Sequence, residues 1–188
     1  MRQRTILLVL LLTASAVPTF AQSSVSLASS DRKLAAGVSL GVAIPGEKLF
    51  GSGATLTIFG EKYLTPRLSV RGQLMTAWWK IDELDTEASA SPLALGANLI
   101  YNWDRGRWHP YASAGFGIYR FGFTEADLDS SDTQAGLTAG GGVEIHLDTR
   151  SAVTVDLTLH PVAGSADSLL NDYAPWFSTL SVGYKRFF

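Results

Sequence analysis

Leu34-Ala35-Ala36-Gly37-Val38-Ser39-Leu40-Gly41-Val42-Ala43-Ile44 decides the fold. Leu34, Ala36, Val38, Leu40, Val42 and Ile44 fall on one face of an extended chain, and Ala35, Gly37, Ser39, Gly41 and Ala43 on the other. A period of two belongs to a strand whose sides meet different surroundings. One side is oily and the other is small.

The same alternation returns six more times. It runs through Leu68, Val70, Leu74 and Trp78, then Leu93, Leu95, Leu99 and Tyr101, then Ala112, Ala114, Phe116 and Ile118. It continues through Leu137, Ala139, Val143 and Ile145, through Val153, Val155, Leu157 and Leu159, and through Leu180, Val182 and Tyr184. Ala54–Tyr63 repeats it weakly, with Leu56 and Ile58 outward. Counting that segment gives eight strands, an even number that lets an antiparallel sheet close without leaving an edge.

The connections alternate in length. Short ones centre on Thr65-Pro66-Arg67, Asp104–His109 and Thr149-Arg150-Ser151; long ones run over Pro45–Gly53, Ile81–Ser91, Gly122–Thr133 and Pro161–Pro175. Short periplasmic turns and long external loops are the habit of a transmembrane barrel. A soluble barrel shares the period but turns its apolar face inward. Here the polar face is rich in Gly, Ser, Thr and Asn yet poor in charge, which suits a narrow lumen better than a wet exterior. The aromatic residues also gather at strand ends, where an amphipathic ring meets lipid headgroups. Trp78, Trp79, Tyr119, Phe121, Trp176 and Phe177 are expected at the outer rim, and Tyr63, Tyr101, Trp103, Trp108 and Phe187 at the periplasmic one.

The N-terminus reads as a signal peptide. Arg2 and Arg4 precede an apolar run that is too short for a spanning helix of about 20 residues, and Thr19 and Ala21 are small residues placed for cleavage after Ala21. The expected division is therefore 1–21 as signal peptide and 22–188 as one barrel domain. Removing Arg2 and Arg4 from the 15 basic residues leaves 13 against 17 acidic ones, a net charge of −4 that offers no broad footprint for nucleic acid. With no cysteine, thiolate metal sites and disulfides are excluded.

Ionisable residues on the lumen face are few. A turn through Thr65, Pro66 and Arg67 sets Leu64 opposite Leu68, and hence Glu61 opposite Arg71, both inward, so a salt bridge is expected there. Glu144, Asp156 and Lys185 fall in the same periplasmic half of the lumen. Because the interior of an eight-stranded barrel is just wide enough for side chains to fill, these five charges are expected to form a polar plug. Unpaired buried ions cost several kcal/mol each, so Glu144 and Asp156 are expected to share Lys185, Arg71, a histidine or water.

No constellation carries catalysis clearly. His109 lies in a periplasmic turn, His146 faces the lumen near the inner rim, and His160 stands beside Pro161 at the outer end of the seventh strand. His160 with Asp156 is the one candidate orienting pair, with Ser165 or Ser168 as the hydroxyl that a lipid-modifying enzyme would need. No cofactor or metal site is read from the sequence: Glu125–Asp132 lacks the glycine and terminal glutamate of an EF-hand loop. The four long connections hold eleven acidic residues against Lys48, namely Glu47, Asp82, Glu83, Asp85, Glu87, Glu125, Asp127, Asp129, Asp132, Asp167 and Asp172, for a sum of −10. Such loops keep themselves soluble, or bridge through divalent cations to lipopolysaccharide or a basic partner.

The C-terminus Leu180-Ser181-Val182-Gly183-Tyr184-Lys185-Arg186-Phe187-Phe188, with Tyr63–Leu68 and Gly140–Glu144, resembles the small outer-membrane β-barrel family of the OmpA/OmpX type. The resemblance implies an all-β, eight-stranded antiparallel up-and-down barrel in the bacterial outer membrane. It also implies an assembly signal in Leu180, Val182, Tyr184 and Phe188, read by the barrel-assembly machinery. Arg186 departs from the pattern, where an apolar residue is usual. The expected function is non-enzymatic: an envelope-structural or surface-interaction role, with outer-membrane lipid around the barrel and an extracellular partner at its loops. A narrow solute channel and a lipid-modifying enzyme are the alternatives.

Overall fold

Two-residue periodicity becomes eight strands in the computed structural model, which describes residues 33–46, 51–80, 89–103, 106–125, 128–162 and 176–188. They are β1 (Leu34–Pro45), β2 (Gly53–Tyr63), β3 (Leu68–Lys80), β4 (Ser89–Asn102), β5 (Trp108–Glu125), β6 (Leu128–His146), β7 (Ser151–Pro161) and β8 (Trp176–Phe187). Each pairs antiparallel with its sequence neighbours, and β1 closes on β8 from Ala35↔Phe187 to Pro45↔Phe177. Closure leaves every strand with two partners, which satisfies the backbone inside a bilayer.

The outward face is the oily one. Leu40 is 65% exposed, Phe116 64% and Leu137 64%, whereas inward Ala43 and Ala77 are at 0%. Such inversion of a soluble core is what a lipid environment requires. The small inward residues make room for large ones. A Cβ at Gly136 would lie 2.9 Å from Tyr119 Cε2, and one at Gly142 2.8 Å from the Tyr111 hydroxyl. The turn before β5 reverses through Gly106 at φ 70°, a left-handed conformation natural to glycine.

One expected loop is corrected. Instead of a loop over Gly122–Thr133, β5 and β6 continue as a hairpin to Glu125↔Leu128, and β4 accompanies β5 as far as Ser89↔Thr124. At 18 and 19 residues these strands exceed the roughly 9–11 that cross a bilayer. Apolar alternation stops where lipid stops, but backbone pairing continues into water. His109, expected in a turn, likewise lies within β5 and pairs with Glu144. The segment 1–21 and the acidic residues Glu47, Asp82, Glu83, Asp85, Glu87, Asp127, Asp167 and Asp172 lie outside the described residues, as do the side chains of Glu125 and Asp129.

Candidate functional site in the barrel lumen

The short turn between β2 and β3 fixes the first contact. Glu61 pairs with Arg71 in the β2–β3 register, and the guanidinium donates to Glu61 Oε2 through Nε at 3.1 Å and Nη2 at 2.9 Å. Ser69 Oγ donates to the other carboxylate oxygen at 2.6 Å. Lys185, brought from β8 by closure, places Nζ 3.0 Å from Glu61 Oε2 and 2.5 Å from Glu144 Oε2. His146 Nε2 lies 2.8 Å from Glu144 Oε1. Asp156 faces Arg71 Nη1 at 3.5 Å and accepts from the Tyr111 hydroxyl. All five expected charges thus meet in one layer.

Aromatic rings frame that layer. Arg71 stands over Phe59, 4.4 Å from its centroid, and Lys185 lies 5.3 Å from each of Tyr63 and Phe187. Cation–π contact and hydrogen bonding together compensate for taking these ions out of water. Glu61, Arg71, Glu144 and Lys185 are all buried.

A second layer, which the expected aromatic girdle concealed, closes the other end. Tyr119, Phe121 and Phe177 turn into the lumen, each 1–2% exposed, and pack with Met75, Ala77, Ala94, Ala43 and Val162. Their placement in the girdle is therefore corrected, as is that of Phe187 and the partly buried Tyr63. Parity carries the reason: Tyr119 and Phe121 continue the inward series of Tyr111, and Phe177 continues that of Lys185. That signal was present in the sequence. Trp78, Tyr101, Trp103, Trp108 and Trp176 do face outward, 41–55% exposed. The Trp79 side chain lies outside the described residues.

His160 belongs to the aromatic layer. Tyr119 Oη and His160 Nδ1 are 2.9 Å apart, His160 Nε2 and Thr179 Oγ1 3.2 Å, and the imidazole stacks on Phe177 at 4.4 Å. The expected His160–Asp156 pair does not form, because Asp156 is held by Arg71 and Tyr111. Ser165 and Ser168 lie outside the described residues. Between the two layers is a cavity of about 40 Å³ lined by polar residues that include Ser39, Gln73, Asn98, Ser113 and Thr158. A water needs about 10–15 Å³ by the same measure, so the space suits about three waters. Leu180, Val182, Tyr184 and Phe188 share the outward face of β8, 43–70% exposed.

A closed antiparallel barrel with an oily exterior and a filled interior has a counterpart in sequence: the family described as outer membrane protein beta-barrel domain matches residues 7–188. The chain belongs to that family. It is an outer-membrane β-barrel protein, and its place is the bacterial outer membrane. Its fold is similar to that of Neisserial surface protein A, with 18% identity, 82% of this chain and 97% of that chain covered, and a TM-score of 0.66. It is also similar to Ail, the attachment invasion locus protein of Yersinia pestis, with 10% identity, 84% and 99% coverage, and a TM-score of 0.58. OprG from Pseudomonas aeruginosa gives 15% identity, 82% and 96% coverage, and a TM-score of 0.55. No functionally curated protein matches the sequence. At these identities the likeness among outer-membrane barrels is one of fold.

Proposed function

We propose that this outer-membrane barrel is a non-enzymatic, plugged scaffold that supports the envelope and presents its outer connections to partners outside the cell. The observation that carries the reading is the double filling of the lumen, by the Glu61–Arg71–Lys185–Glu144 layer below and the Tyr119–Phe121–Phe177 layer above. A solute would have to part both, and separating one buried ion pair alone costs roughly 3–5 kcal/mol. The test is planar-bilayer conductance: the intact protein is expected to stay silent, and long-lived open levels would overturn the plug.

The non-enzymatic part of the proposal draws support from His160, whose ring partners are a tyrosine and a threonine rather than the carboxylate that would orient a base. Lipid A or phospholipid turnover that disappears in His160→Ala would overturn it. The acidic connections, with their sum of −10, are proposed to meet a basic partner or to reach lipopolysaccharide through divalent cations. The outward row Leu180, Val182, Tyr184 and Phe188 is proposed as the signal read by the barrel-assembly machinery. Its exposure on one face of β8 leaves it free to be read.

A further inference from the structure

Cations crowd the short-turn end of the barrel on one side. Passing from β7 to β3 through the closure, Arg150, Arg186, Lys33, Lys62 and Arg67 are all exposed. Tyr63 N donates to Lys33 O at 3.0 Å and Phe187 N to Arg150 O at 2.8 Å, which ties the segment entering β1 and the end of β8 into the arc. Asp148 is the acidic side chain described there, and it is engaged by the Arg150 backbone and the Ser151 hydroxyl, each at 2.6 Å. Among the described residues the ion pairs belong to Arg71, Lys185 and His146, and none to these five cations.

Two of the five point at lipid rather than down into water. Lys62 continues the outward series of Ile58, and Arg186 that of Val182 and Tyr184. They flank β1, Lys62 opposite Leu34 and Arg186 opposite Ala36. Two strand spacings and a two-residue offset along β1, together about 12 Å, separate their backbones, within converging reach of two long side chains. In the same row as Arg186, and one inward step from Lys62, the register lines up Ala36, Gly60 and Gly72 across β1, β2 and β3, and nothing lies within 4 Å of a Cβ added at either glycine. Val38, Ile58 and Leu74 form the exposed apolar wall beyond this furrow.

Among the described residues Lys62 and Arg186 form no ion pair, and although Arg186 also acts on the Asp148 carboxylate, both oxygens of that group are already taken by the Arg150 backbone and the Ser151 hydroxyl. Two such cations at the margin of an apolar surface suit an anion joined to an apolar tail. A soluble anion would satisfy the charge but not the furrow, and a neutral lipid the furrow but not the charge. We propose that Lys62 and Arg186 bind the phosphate of an anionic phospholipid of the phosphatidylglycerol class, whose acyl chain lies over Ala36, Gly60 and Gly72. Arginine suits this role because its planar fork matches phosphate oxygens in pairs. The site is in the inner leaflet where the short turns are periplasmic, an orientation that belongs to the scaffold reading above; binding itself does not depend on it.

The test is native mass spectrometry of the folded protein in neutral detergent with equal phosphatidylglycerol and phosphatidylcholine. The wild type is expected to retain phosphatidylglycerol preferentially. Each cation removed should lower the preference about fivefold, so Lys62→Gln with Arg186→Gln together should lower it about 25-fold. Gly60→Leu, which fills the furrow and keeps both charges, should weaken retention of both lipids. Arg120→Gln, at an exposed outward position near the opposite end, should leave it unchanged. Equal retention of the two lipids by the wild type, full preference in the double variant, an equal loss in Arg120→Gln, or displacement by free glycerol phosphate would each overturn the proposal. Heat-dependent gel mobility confirms that each variant is folded, and labelling of Thr65→Cys in intact cells reports orientation separately.

Discussion

Lys185 shows how one buried cation organises a lumen. Its ammonium serves Glu61 and Glu144 at once and lies 5.3 Å from the ring centroids of Tyr63 and Phe187. Lys185→Met keeps the stem and removes the charge, leaving Glu144 with His146 alone. The loss should be roughly 3–5 kcal/mol, read by urea unfolding in detergent micelles. Adding Glu144→Gln should recover part of it, with a coupling of about 0.5–3 kcal/mol; strictly additive losses would mean the two groups do not interact. The Glu61–Arg71 contact could be read from the sequence because a short turn sets the register between them. The Tyr111–Asp156 bond could not, since 45 residues separate the pair.

Within the elements, glycines in different strands carry opposite expectations. At Gly142 in β6 an added Cβ collides with the Val155 carbonyl and the Tyr111 ring, whereas at Gly60 in β2 it meets open space. Gly142→Ala should therefore destabilise the barrel by roughly 1–3 kcal/mol in the same unfolding measurement. Gly60→Ala should change it little. The turn between β6 and β7 makes a pH prediction. There the Ser151 hydroxyl and the Arg150 backbone hold the exposed Asp148 carboxyl below its ordinary range. A carboxylate with a lowered folded-state pKa stabilises above its unfolded pKa, and that contribution fades as pH falls through the folded value. Asp148→Asn should accordingly flatten the acid limb of stability against pH, seen as a difference between variants that fades as pH falls through the lowered folded-state value. The β5–β6 hairpin marks the limit of reading at this scale: hydrophobic alternation reports the bilayer, and the strands outlast it.

Across the whole molecule, the two layers make closure redundant. Tyr119→Ala with Phe177→Ala should cost roughly 3–5 kcal/mol per ring and open the upper lumen. The ionic layer beneath still blocks it, so the double variant should remain silent in planar bilayers. Steady conductance in that variant would make the aromatic layer the barrier by itself.

The sequence by itself determined the strand count, which face meets lipid, and the register across the turn through Thr65, Pro66 and Arg67. Those depend on a two-residue period and on a handful of contiguous residues, so parity along one strand suffices, even for Tyr119 and Phe177. Only the tertiary structure decided that Lys185 bridges Glu61 and Glu144, that Asp156 goes to Tyr111 and Arg71 rather than His160, and that Lys62 and Arg186 flank one furrow. Closing a sheet into a barrel forces the strands to tilt and stagger. The level at which residues of distant strands meet is a sum of staggers around all eight, a quantity no local stretch of the chain contains.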